Sequence, residues 1–225
     1  MRFVLPLLAA LALFTLVACG GDDDAETADP APLAQRVLTA EDAPDSKPDP
    51  VETRQTTADF DEFIDVLGNV AIDPDTDEMT DVFTGAGFQG AILDTRFYGE
   101  THTGTAVHVN SSVIELESER GAQDALAWIV ADAMKPCPMT CAVRTSEFDV
   151  EDISDARGIR RSASAEDIEA VGTEEDRPFE SYLISFADGS FVYTFDLDGP
   201  PGSVSEDQAI EIATALHHRV GSLPS

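Results

Sequence analysis

The sequence predicts an α+β fold, an antiparallel β-sheet covered on one face by helices. Strand pairs followed by a helix occur twice, at about 91–134 and 179–220. The helices carry single apolar stripes, too narrow for burial all round and suited to lying on a sheet. The second strand pair also closes on itself. With Asp188-Gly189 as a two-residue turn, Phe186 would face Phe191, Ile184 would face Tyr193, and Tyr182 would face Phe195.

The elements follow in order. Residues 36–56 are mostly polar, with Pro44, Pro48 and Pro50 opposing helix. Phe60, Phe63, Ile64 and Leu67 recur at helical spacing, with Thr57 as the expected cap and Gly68 as the expected stop. A short helix from Asp77 to Thr84 would bury Met79, Val82 and Phe83, and Gly85 and Gly87 would end it. In the first hairpin, Ala91, Leu93, Thr95 and Phe97 would share the apolar face with Val107, Val109 and Val113. Ser118 would cap a helix whose stripe is Ala122, Ala125, Leu126, Ile129 and Ala133, with Trp128 on its flank and Pro136 beyond it. Phe148 to Ile153 alternates weakly, and 157–177 reads as a polar stretch. Ser205 and Gln208 would form a capping box for a last helix lined by Ala209, Ile212, Ala213, Leu216 and Val220.

Charge excludes whole classes of partner. The 225-residue chain has 44 Asp+Glu against 13 Lys+Arg, a formal charge of −31. Such a surface repels phosphate backbones and anionic lipid heads, so no nucleic-acid partner is expected. There is no G-x-S-x-G, H-E-x-x-H, P-loop or dinucleotide fingerprint, and the chain is expected not to be an enzyme or to carry a cofactor.

The first residues point outward. Arg2 precedes an uncharged run from Phe3 to Ala18, too short for a spanning helix and suited to a signal peptide. It ends in Leu16-Val17-Ala18-Cys19, which resembles the lipobox of bacterial lipoproteins. The resemblance implies a signal peptide over 1–18, cleavage before Cys19, a diacylglyceryl thioether on that cysteine and a further fatty acyl (palmitate-type) chain. The protein would then be held on the outer face of the cell membrane by lipid. Residues 19–34, rich in Asp, Ala and Pro, would form a disordered tether. Residues 35–225 would form one domain, with pseudo-repeat halves at about 57–136 and 142–221. The chain also resembles uncharacterised actinobacterial lipoproteins in its lipobox, its acidic tether, the opening Val37-Leu38-Thr39-Ala40-Glu41-Asp42 and the Gly87-Phe88 step. Some of that type resemble the extracellular sensor domain of mycobacterial receptor kinases. The resemblance implies binding or sensing at the cell surface and no catalytic residue.

Several local features bear on function. With Cys19 lipidated, Cys137 and Cys141 remain as a pair in an oxidising compartment, read as a small-loop disulfide. The alternative is soft-metal binding, since Cys137-Pro138-Met139-Thr140-Cys141 resembles the motif of copper-handling lipoproteins. The proline after the second cysteine is missing, because Ala142 stands there. Asp73, Asp75 and Asp77 imitate the start of a calcium loop. Glu78 stands where glycine is needed and Thr84 where glutamate is needed, so a solvated helix start is expected and no metal site. His217 and His218 are helix neighbours that point about 100° apart and cannot share one metal. Asp94, Arg96, His108 and Asn110 are read as one face of the first hairpin, able to contact a polar ligand. The favoured function is a non-enzymatic surface lipoprotein that binds a small ligand or an envelope protein. A carrier of lipid or apolar ligand and a copper handler using Cys137 and Cys141 are the alternatives.

Overall fold

The computed structural model describes residues 32–39, 42, 52–70, 75–98, 107–136, 142–171 and 177–224. The strands are β1 (Glu52–Ala58), β2 (Phe88–Tyr98), β3 (Val107–Leu116), β4 (Arg144–Phe148), β5 (Arg157–Ala163), β6 (Phe179–Asp188) and β7 (Phe191–Gly199). The helices are α1 (Phe60–Val70), α2 (Thr76–Gly85), α3 (Glu119–Ala133), α4 (Ala165–Val171) and α5 (Glu206–Val220). The strands form one antiparallel sheet in the order β1-β2-β3-β7-β6-β5-β4. The fold is α+β, as the sequence predicts.

The helices lie on both faces of the sheet, not on one. Helix α5 buries Ala209, Ile212, Ala213 and Leu216 against Tyr193, Phe195, Leu197, Ile184 and Phe186. Helices α1, α2 and α3 pack Phe63, Met79, Phe83, Ala125 and Leu126 against Ala91, Ile114 and Val192. Val192 and Tyr193 are chain neighbours and so point to opposite faces. A central strand that is apolar on both faces needs cover on both. This placement also bears on the two halves. A two-fold axis relating the adjacent antiparallel strands β3 and β7 runs normal to the sheet and preserves faces. Helices α3 and α5 lie on opposite faces, so the halves share element order without that symmetry.

Local chemistry sets the boundaries. Asp59, not Thr57, starts α1, its carboxylate accepting from Glu62 N at 3.0 Å, and the helix runs through Gly68. Asp75 caps α2 in the same way, accepting from Glu78 N at 3.0 Å. Ser118 and Ser205 cap α3 and α5 as expected. Gly87 follows α2 with φ of 74°, and a Cβ there would meet Glu117 Cβ at 2.6 Å, so the Gly-Phe step is a helix stop that requires glycine. β1, β5 and α4 fall in stretches read from sequence as polar and irregular.

The hairpin registers differ from those expected. In the second, Gly189-Ser190 is the turn and Phe186 pairs with Tyr193, Ile184 with Phe195 and Tyr182 with Leu197. The slip is two residues, an even number, so every apolar side chain keeps its face. Gly189 has φ of 57° and Ser190 is not positive, the pattern of a type II′ turn. In the first hairpin Phe97 pairs with His108, Thr95 with Asn110 and Arg96 with Val109. Here the mismatch is odd. Ile92, Asp94, Arg96 and Tyr98 share a face with Val107, Val109 and Val113, while Leu93, Thr95 and Phe97 face the other way with His108 and Asn110.

The chain enters along the α5 face and is clamped there by three arginines. Val37 and Leu38 are buried in the aromatic core. Arg96 donates to Leu38 O and, at 2.8 Å, to Asp94. Arg36 donates to Tyr193 OH at 3.1 Å and Pro224 O at 2.6 Å, with its guanidinium 3.9 Å from the centre of the Phe191 ring. Arg219, in the last turn of α5, holds both oxygens of Asp42 at 2.9 and 3.0 Å and the carbonyls of Gln35 and Val37 at 2.5 Å. Asp42 is buried and also accepts from Thr39 N at 2.6 Å. Removing one partner of such a pair strands the other charge, at a cost of about 3 kcal/mol. The Arg219→Met variant is therefore expected to lose about that much stability in urea unfolding, with faster amide exchange at residues 36–39. A loss below about 1 kcal/mol with unchanged exchange would show that the clamp is dispensable.

Candidate functional site

The same alternation that builds the aromatic core lays a polar floor on the opposite face. On β7, Phe191, Tyr193, Phe195 and Leu197 are buried towards α5, while Val192, Thr194, Asp196 and Asp198 point towards α3. Only the Val192 end of that second row is apolar. On β3 the row runs from Ile114 through Ser112 and Asn110 to His108. Helices α1 to α3 cover the apolar end, and beyond it the floor opens into a cavity of about 230 Å³. Thr95, Asn110, Ser112, Thr194, Asp196 and Arg161 line it from the sheet. Phe63 and Val66 of α1, with Trp128, Ile129, Asp132 and Ala133 of α3, line it from above.

The four residues expected to form one polar face are split by the sheet. Asp94 and Arg96 lie in the α5 core as a buried pair that anchors Leu38, so their side chains are structural. His108 and Asn110 are on the cavity face. Asn110 Nδ2 donates to Asp198 Oδ2 at 3.3 Å, and His108 Nδ1 lies 3.2 Å from Asp198 Oδ1. The hydrogen bond to Asp198 holds the imidazole's pKa above its ordinary value against partial burial. Phe97 packs edge-on to His108 at 4.9 Å. Cys19, Cys137 and Cys141 lie outside the described residues, as do Asp73 and Pro74. Among the described residues no group of three or more His, Cys, Asp or Glu is placed to hold a metal.

Asp196, Thr194, Ser112 and Arg161 are cavity residues that the sequence does not single out, and Trp128 is visible there only as the flank of a helix stripe. Asp196 accepts from Ser181 Oγ at 2.6 Å, and Ser112 Oγ and Thr194 Oγ1 are 2.7 Å apart. Burial, then the neighbouring charge of Asp198, pushes the Asp196 carboxyl up to about 6, despite the Ser181 hydrogen bond and the positive Arg161. Asp132 is committed to Lys135 at 2.9 Å. The Ser112 and Thr194 hydroxyls bond each other, and His108 faces Asp198, so neither hydroxyl is activated by that histidine. Its donors and acceptors can orient a ligand beneath an apolar roof.

The fold has a solved counterpart. The chain resembles in fold the extracellular domain of PknH from Mycobacterium tuberculosis. The likeness covers 85% of this chain and 97% of that one, with a TM-score of 0.50 and 13% sequence identity. At that identity the PknH domain establishes a shared fold. No protein-family model and no curated protein matches the sequence. No described helix is long and apolar enough to cross a membrane.

The raised Asp196 value has a direct consequence. A carboxyl held above the ordinary 3.8 stabilises the fold fully below that pH, and the contribution is lost as pH rises through about 6. The loss is about 2–3 kcal/mol. Asp196→Asn, which keeps an acceptor for Ser181, is expected to be more stable than the parent by about that amount at pH 8 and equal to it near pH 4. Urea titrations at the two pH values measure the difference. An equal gain at both would show that Asp196 ionises normally.

Proposed function

We propose that this chain is a non-enzymatic, lipid-anchored domain on the outer face of the cell membrane that binds a small ligand between the sheet and helices α1 and α3. The cavity carries the reading, because it pairs an apolar roof with convergent polar groups, the usual make-up of a ligand site. The likeness in fold to an extracellular domain supports an extracytoplasmic place, and the sequence Leu16-Val17-Ala18-Cys19 supports the anchor. The volume of about 230 Å³ lies below the roughly 300–1,000 Å³ common for drug-sized ligands. That size and the polar floor favour a small molecule with a polar head over a long acyl chain.

Trp128 is the chain's one tryptophan and lines the cavity, so its emission reports occupancy. Screening the full chain in detergent against small envelope-accessible metabolites is expected to find a saturable emission change. That change should be lost in Ser112→Leu, which fills the floor. A ligand bound equally by both proteins, or no ligand at all, would contradict the site. Separately, Cys19→Ser is expected to move the protein from membrane to soluble fractions, and retention on the membrane would contradict the lipid anchor.

A further inference from the structure

We propose that the cavity, on the reading that it is a ligand site, takes a small apolar-bodied monocarboxylic acid whose carboxylate pairs with Arg161. Cations are scarce in this chain, at 13 Lys+Arg against 44 Asp+Glu. Accordingly Arg96, Arg120, Arg144, Arg160 and Arg219 each hold a carboxylate. Arg161 does not. It sits half-buried in the cavity lining with no side-chain ion pair among the described residues, and its Nε has no hydrogen-bond partner. Its charge is felt by Asp196 but no described carboxylate bonds it, and a buried Nε–H left without an acceptor is costly, so an anion in the cavity would complete it. The indole Nε1 of Trp128, also buried and without an acceptor, is a second donor on the same lining. Two other lining residues carry an atom without a hydrogen bond, but Asp132 Oδ1 is charge-paired with Lys135 at 2.9 Å and Ser111 shares the α5 face with Phe195. The two uncompensated groups on the cavity side are donors, so the missing partner is an acceptor.

The rest of the lining sets the ligand's body and charge. Phe63, Val66, Leu93, Ile114, Ile129 and Leu183 give it apolar walls. A cavity of about 150 Å³ holds benzene, so 230 Å³ has room for one ring or a short branched chain with an acid arm. A single negative charge matches one arginine. A phosphate dianion would add a second charge beside Asp196 and Asp198, which already stand on the floor.

Titration of the full chain in detergent with 3-phenylpropionate, its amide, its amine analogue and phenyl phosphate tests this through Trp128 emission and calorimetry. The acid is expected to bind saturably, roughly 30-fold or more tighter than the amide and amine, as loss of a charge-assisted pair implies. Arg161→Gln should lose the acid preference, and Asp196→Asn should tighten acid binding several-fold at pH 7.5. Tighter binding of amine, amide or phosphate than of acid would overturn the carboxylate assignment while leaving the cavity as a ligand site. Acid binding unchanged in Arg161→Gln would do the same. Failure of all four probes to bind would count against both the acid and the site. The probe comparison on the unaltered chain stands even if Arg161→Gln does not fold.

Discussion

The two-residue period of β7 is the constraint on which the structure depends. The strand lies between β3 and β6, so each of its faces must meet something other than a neighbouring strand. One face presents Phe191, Tyr193, Phe195 and Leu197, and these demand dry packing. Phe186 stacks on Tyr193 with ring centres 4.9 Å apart, and α5 closes over them. The other face begins apolar at Val192 and then turns polar at Thr194, Asp196 and Asp198. It can be roofed by apolar helices at one end only. Core and cavity are therefore two consequences of one alternating strand.

The clamp on the α5 face completes that division. The segment from Leu33 to Asp42 brings three large apolar side chains to the core, Val37 and Leu38 buried in it and Leu33 packed against it. Arg36, Arg96 and Arg219 fix it by hydrogen bonds to its carbonyls, to Asp42 and to the body of the domain. Buried charges on this side are tolerated because they are paired: Asp94 with Arg96 on the sheet, Asp42 of the entering segment with Arg219 of α5. The described chain thus enters on the side away from the cavity. A membrane tether leading to that entry would leave the cavity face unobstructed.

Much of this was legible in the sequence, for reasons that differ by element. Helices α3 and α5 were plain because a serine cap and a five-residue stripe agree. The second hairpin's faces are legible even though the register expected from its turn is two residues off, because aromatic residues alternate on both strands. Those of the first hairpin are not, since Asp94 and Arg96 occupy buried positions that a polarity pattern assigns to solvent. β1 and β5 are not legible in the sequence, because these edge and near-edge strands of polar composition carry no alternation. Of the cavity face, His108 and Asn110 are visible in the sequence as hairpin polar residues, and of the two Asn110 lines the cavity. Asp196 and Arg161 are not visible in this way, because their importance comes from strand order. A polar residue on a central strand under a partial roof reads, in sequence, like one on a wet face.

Hydrogen exchange across the full chain, with and without a bound cavity ligand, tests the division of the sheet most directly. If the two faces have separate roles, α5 exchanges as slowly as β7, and occupancy slows α1 and the last turn of α3 while α5 stays as it was. Opening of α5 before α1, or a ligand effect concentrated on α5, would contradict the account.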